Sequence, residues 1–302
     1  MNTFPISYGA ARRRAHMLST LRRTLDQADF IEITTPVLLK ARPGGPESVQ
    51  RIRVAELDLD LRTSIELHLR TALIAANQVY DIGPAIRLED IKHPGRSAVE
   101  FTLLELYMAN IEYQQLLDFS ENLIRSAAPC LPKAQRISVA DWFADEMNVS
   151  FERDGEKEYR QKLIDAGGGN ESDRTYRLIN EVIGARLERH LKGFVFLTNY
   201  PVETVCLARR CDGAPHIIER FEVFIDDLEI GHGFVDEMDA DDLLDRMHRS
   251  GPEHTDSEFV THLRTGSLPP SGGFGLGVER LLAATEESET RDLRRFIHAY
   301  QH

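Results

Sequence analysis

The chain has 302 residues, 42% of them hydrophobic and 28% charged, and carries a formal net charge of −13 from 36 Lys and Arg against 49 Asp and Glu. That composition describes a soluble globular protein long enough for one large domain or two modest ones. It contains no apolar run near the ~18 residues of a membrane span, its start MNTFPISYGAARRRAHM lacks the apolar core of a secretory signal, and its acidic balance disfavours a polyphosphate backbone as the main partner.

From the N-terminus, the spacing of Ala11, Met17, Leu18, Leu21 and Leu25 predicts a helix over 8–28. Its Arg12-Arg13-Arg14 cluster is either a solvated helix face or a local basic patch. FIEITTPVLL reads as a strand in which Pro36 requires an edge or an end, and ARPGGPES, 41–48, as a Gly/Pro loop. SIELHLRTALIAA, 64–76, has helical spacing with Ser64 placed to cap it. VYDIGPAIRLE and VEFTLLELYMANI are two strands joined by the polar loop DIKHPGRSA. Helical patterns fill 112–126, 155–166 and 172–192, with AGGGN between the last two. Strands return at FVFLTNYP, ERFEVFIDDLEIGHGFVDE and GGFGLGVERLLAA.

Strands and helices occurring in runs predict an antiparallel-rich α+β fold in a single domain over 1–302, with 127–192 as a helical insertion between two halves of one sheet. Cys130, Cys206 and Cys211 are odd in number and lack zinc-site partners, which suggests reduced thiols of a cytoplasmic protein, either structural or reactive.

Three stretches carry chemistry. In EFTLLELY, 100–107, strand alternation puts Phe101, Leu103, Glu105 and Tyr107 on one face and Glu100, Thr102, Leu104 and Leu106 on the other. A carboxylate on an apolar face is costly unless a cation meets it, so Glu105 with Tyr107 suggests a receptor for a positive group. In RFEVFIDDLEIGHGF, Asp226-Asp227 is a two-residue turn that sets Phe224 opposite Glu229 and Glu222 opposite Gly231. Glu222 and Glu229 then become neighbours that either share Mg²⁺, a cation suited to oxygen ligands and substrate phosphates, or form a solvent-facing acidic stripe. In GGFGLGVER, 272–280, the glycines do not match a dinucleotide fingerprint. They either expose bare backbone to a flat ligand, with Arg280 stacked over it, or permit tight strand packing. Arg87, at a strand end, suits a phosphate or carboxylate, or a surface ion pair with Glu89.

Together these pieces resemble the catalytic domain of class II aminoacyl-tRNA synthetases, most closely the lysyl branch. Motif 1 resembles IEITTPVLL; motif 2 resembles IRLE followed by EFTLLELY; motif 3 resembles GFGLGVERL. YPVETVCLARR, RFEVFIDDLEIGHGF and LRTSIELHLR are also similar, so the likeness covers nearly the whole chain. It implies an antiparallel sheet flanked by helices, a homodimer formed through motif 1, and activation of an amino acid by ATP with Mg²⁺ to an aminoacyl-adenylate. In that light Arg87 holds the α-phosphate, Arg280 lies beside ATP, and Glu222 and Glu229 bind the metal. Glu89, Phe101 and Gly277 join the ATP set. Glu66 receives the α-amino group beside Gly44-Gly45, and Glu105 with Tyr107 receives a lysine ε-ammonium. His232, Asp236 and Gly275 join the amino-acid set.

There are departures from the family pattern. The motif 2 loop ends Ser97-Ala98-Val99 instead of His-Asn-Pro, so the triphosphate contact either falls to another residue, His93 or Arg96, or is lost. His232 replaces an asparagine, and Val235-Asp236 replaces Ser-Glu. With no anticodon-reading OB-fold ahead of the motif 1 helix, the chain resembles the stand-alone ligases that attach lysine or β-lysine to a lysine of translation elongation factor P. Gly275, where those ligases carry alanine, suggests an α-amino acid. A small-molecule, carrier-protein or tRNA acceptor, and a non-catalytic amino-acid-binding paralogue, remain as alternatives.

Overall fold

The computed structural model describes residues 7–40, 52–87, 98–205, 207–250 and 257–285. The predicted site residues Gly44, Gly45, Glu89, His93 and Arg96, the loop 41–48 and Cys206 lie outside the described residues.

Helix α1 (Tyr8–Gln27) starts where the Ser7 side chain accepts the Ala10 amide, and it buries the stripe Ala10, Met17, Leu21 and Leu25. Ala11 faces solvent. The following segment does not form the single predicted strand. It divides into β1 (Ile31–Glu32) and β2 (Leu38–Lys40), with Pro36 in the break. β2 joins a small sheet with β3 (Arg53–Val54) and β4 (Leu59–Leu61). A buried polar knot ties this sheet to the next elements. Arg62 pairs with Asp81 at 3.2 Å, and the Thr35 hydroxyl donates to Asp81 at 2.6 Å. Helix α2 (Glu66–Ala72) leads into β5 (Gln78–Ile86) and β6 (Glu100–Ala109), then α3 (Tyr113–Ala127), opened by a capping box between Glu112 and Gln115.

The stretch predicted as a helical insertion begins with a strand. β7 (Gln135–Ser138) pairs parallel with β8 (Phe194–Pro201) at the sheet edge, ahead of α4 (Val139–Met147), α5 (Glu156–Asp165) and α6 (Thr175–Val182). An edge position demands little apolar alternation of QRIS, so its period was hidden. Then come β9 (Arg210–Cys211), β10 (Ala214–Ile225) and β11 (Leu228–Val235). Helices α7 (Ala240–Ser250) and α8 (Ser257–Arg264), which were not predicted, share an apolar cluster of Leu243, Met247, Val260 and Leu263. β12 (Ser271–Gly277) and α9 (Val278–Ala284) complete the described chain.

Among the described residues nine strands form one sheet in the order β1-β5-β6-β12-β11-β10-β8-β7, with β9 pairing β10. Only the pairs β1–β5 and β7–β8 are parallel. Antiparallel pairs therefore make up the interior, in agreement with the α+β expectation. On one face, the main core packs α1, α3 and α9 against Leu104, Leu106, Phe221, Val223, Phe274 and Leu276. On the other, α2 covers Val79, Leu103 and Tyr107, while the insertion helices cover Val195, Leu197 and Phe224. A pocket opens on this second face, over β6, β12 and β11.

Candidate active site

The floor of the pocket follows from strand register. Glu105 on β6 lies opposite Gly275 on β12, and Gly275 lies opposite His232 on β11. Tyr107 and Leu103 face Gly273 and Gly277 in the same way. Of the glycines, Gly275 and Gly277 line the pocket and Gly273 lies against the Tyr107 ring, while Phe274 and Leu276 belong to the core. Space decides why two of them are glycine. A Cβ on Gly273 would sit 2.3 Å from a Tyr107 ring carbon, and one on Gly275 would press the Glu105 side chain at 3.3 Å. The bare strand thus forms a slot with Glu105 on one side and His232 on the other.

His232 reaches the pocket because of a bulge. The Asp226-Asp227 turn forms as expected, with Asp226 at φ 52°, and Phe224 pairs with Glu229. The register then shifts, so that Val223 meets Gly231 and Glu222 meets His232, not Gly231. One extra residue, Ile230, is accommodated on β11 and buried in the core, and His232 turns to the site face.

At the deep end, Glu105 is 4% exposed and accepts the Ile65 amide at 2.6 Å and the Ser64 hydroxyl at 3.1 Å. The predicted capping residue Ser64 also accepts the Glu66 amide, at 3.1 Å. Among the described residues no Lys or Arg forms an ion pair with Glu105. Burial pushes its carboxyl up, Glu66 adds to this, and His232, the Ile65 amide and Arg87 pull back. Beyond it lies Arg70, which sequence reasoning missed. Its guanidinium is 2% exposed, donates to the Tyr107 hydroxyl at 3.1 Å, and pairs with Glu66 at 2.7 Å and with Asp236. It lies 5.3 Å from the Tyr107 ring centre and 5.4 Å from that of Phe234. Its spacing of four from Glu66 was the available signal. Asp236 is 1% exposed and also accepts the Ser271 hydroxyl. Burial lifts its carboxyl to about 6, against the pull of Arg70 and Ser271.

The outer end is charged and more open. Arg87 donates to the Thr63 carbonyl at 2.8 Å and its guanidinium lies 5.4 Å from the centre of the Phe101 ring. Arg280, on the first turn of α9, reaches the Glu229 backbone carbonyl at 3.1 Å and its carboxylate at 3.0 Å. Arg87, Phe101, Glu229, His232, Gly277 and Arg280 all line the pocket. Burial works against the Glu229 carboxylate, but His232, Arg280 and Arg87 hold it down at about 2. His232 in turn is raised, because Glu229 outweighs the effect of burial. Glu222 accepts the Tyr200 hydroxyl at 2.7 Å and pairs with Arg220, whose guanidinium lies 4.2 Å from the Tyr200 ring centre. Glu188, from the insertion, joins this end. Burial, together with Glu222 and Glu229, lifts it to about 8. Neither Arg220 nor Glu188 was singled out in the sequence, although Arg220 shares the face of Glu222 two residues away.

Among the described residues no three His, Cys, Asp or Glu side chains converge as a preformed metal centre. Glu222 and Glu229 nevertheless fit Mg²⁺, which is held by one or two carboxylates and completed by phosphates and water. Glu188 adds a third carboxyl near them, raised first by burial and then by the charges of Glu222 and Glu229. Elsewhere, Arg14 of the basic cluster binds Glu279 at 3.2 Å and Thr102 at 2.6 Å, whereas Arg12 and Arg13 are exposed. Cys130 and Cys211 are free thiols, and burial pushes Cys211 up to about 11. No helix among the described residues is long and apolar enough to cross a membrane.

Comparison with known proteins gives this arrangement a context. The chain is 30% identical to a lysine–tRNA ligase of Synechococcus sp. (strain RCC307) over 94% of its own length and 62% of the relative. It is 31% identical to the lysine–tRNA ligase of Prochlorococcus marinus (strain MIT 9211), over 97% of its length and 64% of the relative. The chain thus spans a little over three fifths of these curated relatives. Residues 8–298 match the family described as tRNA synthetases class II (D, K and N), and the chain belongs to that family.

Proposed function

We propose that the chain activates lysine, or a close cationic analogue, with ATP to an aminoacyl-adenylate, and passes the aminoacyl group to an amine. The observation that carries this reading is Glu105. It is a carboxylate buried on an apolar strand opposite the pocket-lining Gly275, held by an amide and a hydroxyl, and among the described residues no arginine or lysine forms an ion pair with it. Such a group is costly to bury unless a ligand supplies the charge. A side-chain ammonium at Glu105, with Tyr107 beneath it, and an α-ammonium at Glu66 satisfy both acids. The substrate carboxylate then points along the glycine slot past Gly275 and His232 toward Arg87 and Arg280.

At the outer end, Arg87 is placed to hold the α-phosphate and the attacking carboxylate together. Arg280 and Phe101 offer a cation and a ring to the nucleotide, above the bare backbone of Gly277. Mg²⁺, held by Glu222 and Glu229, would neutralise phosphate charge. The chain's own contribution is alignment of two anions and screening of their repulsion, the larger part of such a reaction. Outside the described residues, Glu89, His93 and Arg96 belong to the ATP set, and Gly45 to the amino-acid set, on the sequence resemblance alone.

For the acceptor we propose a lysine side chain of translation elongation factor P. The net charge of −13 supports a protein over a polyanion. The relatives' names support tRNA, the competing acceptor. A homodimer acting in the cytoplasm completes the reading, with the exposed Ile31 and Leu38 of the motif 1 segment, at 55% and 41%, available for a second copy.

The test is Mg²⁺-dependent ATP–pyrophosphate exchange with lysine, β-lysine, ornithine, arginine and norleucine, followed by transfer of the labelled amino acid to elongation factor P or to tRNA. Exchange with a cationic amino acid and label on the factor are expected. Exchange with norleucine alone would refute the pocket assignment, and label on tRNA alone would refute the acceptor.

A further inference from the structure

We infer that Asp236 is a positioning residue that acts on the substrate only through Arg70, so that Glu105 is the innermost receptor for the substrate cation. The inference rests on the amino-acid pocket proposed above and concerns which of its acids touch the substrate. By sequence resemblance Asp236 belongs to the amino-acid-binding set. The geometry gives it a different task.

One carboxylate oxygen of Asp236 is hydrogen-bonded and the other is held by ion pairing alone. Oδ1 pairs with an Arg70 Nη, and Oδ2 accepts the Ser271 hydroxyl. The residue is 1% exposed, and its own amide donates to the Ser271 carbonyl at 2.8 Å, so the backbone as well as the side chain is fixed. Arg70 closes the deep end of the slot. Its Nε donates to the Tyr107 hydroxyl at 3.1 Å, and its guanidinium is held between the rings of Tyr107 and Phe234. A substrate ammonium reaching Asp236 would have to displace a buried guanidinium from a carboxylate, a hydroxyl and two rings. One stopping at Glu105 displaces none of these.

Charge balance gives the same answer. Glu66, Glu105 and Asp236 supply three negative charges, and Arg70 supplies one positive charge. Two negative charges remain, matching the two ammonium groups of an α,ω-diamino acid. Norleucine, with one ammonium, leaves one acid unmet. Arg70 also pairs with Glu66, at 2.7 Å, but the Glu66 side chain stays 17% exposed where that of Asp236 is 1% exposed, so Glu66 and Glu105 are the acids left to meet the ligand.

Four proteins separate the possibilities: wild type, Asp236→Asn, the double variant Arg70→Met/Asp236→Asn, and Glu105→Gln. Each is titrated calorimetrically with L-lysine and L-norleucine, and the readout is the ratio of the two affinities, which a merely structural role leaves unchanged. Asp236→Asn leaves Arg70 without its counterion, and the lysine preference is expected to fall on the order of 100-fold. The double variant restores the charge balance and should return to within about five-fold of wild type, a strong coupling between neighbouring sites. If the double variant is as poor as Asp236→Asn, Asp236 touches the substrate and the inference is overturned. Should removal of the buried pair unfold the chain, Glu105→Gln decides, since it is nearly isosteric. It is expected to abolish the preference with Asp236 intact, and a retained preference would place the ammonium at Asp236. If wild type binds no amino acid, the proposed pocket itself fails, an outcome distinct from an unrescued double variant.

Discussion

The two ends of the slot store charge differently. At the deep end Arg70, Asp236 and Glu105 are nearly inaccessible and fixed by hydrogen bonds, ion pairs and rings. At the outer end the pair of Arg280 and Glu229 is about a third exposed, at 34% and 36%. A buried network is costly to reorganise, so it suits selection of one shape and charge. A pair one-third exposed is partly screened by solvent and separates at lower cost than a buried one. Arg280 and Glu229 hold one another while no ligand is bound, and in the proposed reaction they part, the arginine to the nucleotide and the glutamate to Mg²⁺. Selectivity is thus assigned to the buried end and turnover to the open one.

The sharpest way to break this division is Arg280→Ala. Adenylation should fall on the order of 100-fold or more, with an unchanged melting temperature because the side chain is partly exposed. Pyrophosphate exchange and a thermal melt read the two effects, and retained exchange in a folded variant would remove Arg280 from the nucleotide site. Next, Glu105→Gln should weaken lysine binding by about 1–3 kcal/mol, the worth of a charge-assisted bond, while leaving ATP affinity unchanged. Parallel titrations with lysine and ATP check this, and equal losses for both would erase the distinction between the ends.

Two glycines of β12 sharpen the comparison further. Gly273→Ala forces a methyl into the rigid Tyr107 ring and should destabilise the fold by about 1–3 kcal/mol in a denaturant titration. Gly275→Ala meets the flexible Glu105 side chain, so its stability cost should stay below about 1 kcal/mol while the KM for lysine rises several-fold. Equal effects at both positions would contradict the slot. The smallest effect is that of pH. Burial lifts the Asp236 carboxyl to about 6, so it is ionised at neutral pH and protonates as pH falls through that value. Loss of the counterion leaves Arg70 unbalanced, and lysine affinity should drop about twofold between pH 7.5 and 6 and more steeply below. The lysine ammonium, with a pKa of ~10.4, does not titrate there. Calorimetry across this range checks the direction, and affinity rising toward acid would contradict it.

The face shared by Phe101, Leu103, Glu105 and Tyr107 was legible because a strand has period two, and the Asp226-Asp227 turn because its residue types tolerate the backbone it needs. His232 opposite Glu222 was not legible. A one-residue bulge at Ile230 reverses the facing of the residues after it, and no local residue type announces it. The strand β7 was hidden by its exposed edge position. Helices α7 and α8 were overlooked despite the helical spacing of Leu243, Leu244 and Met247. Arg70 had a visible spacing from Glu66, but its burial under Tyr107 and Phe234 depends on three elements far apart in the chain. Local chemistry was readable in the sequence, whereas the pairing of buried charges arose from tertiary packing.

The most direct measurement is a crystal structure with a non-hydrolysable lysyl-adenylate analogue. The side-chain ammonium is predicted within hydrogen-bond distance of Glu105, the α-ammonium at Glu66, the adenine between Phe101 and Arg280, and the pair of Arg70 and Asp236 unchanged. An ammonium seated on Asp236 with Arg70 displaced, or an analogue bound outside the glycine slot, would contradict the account.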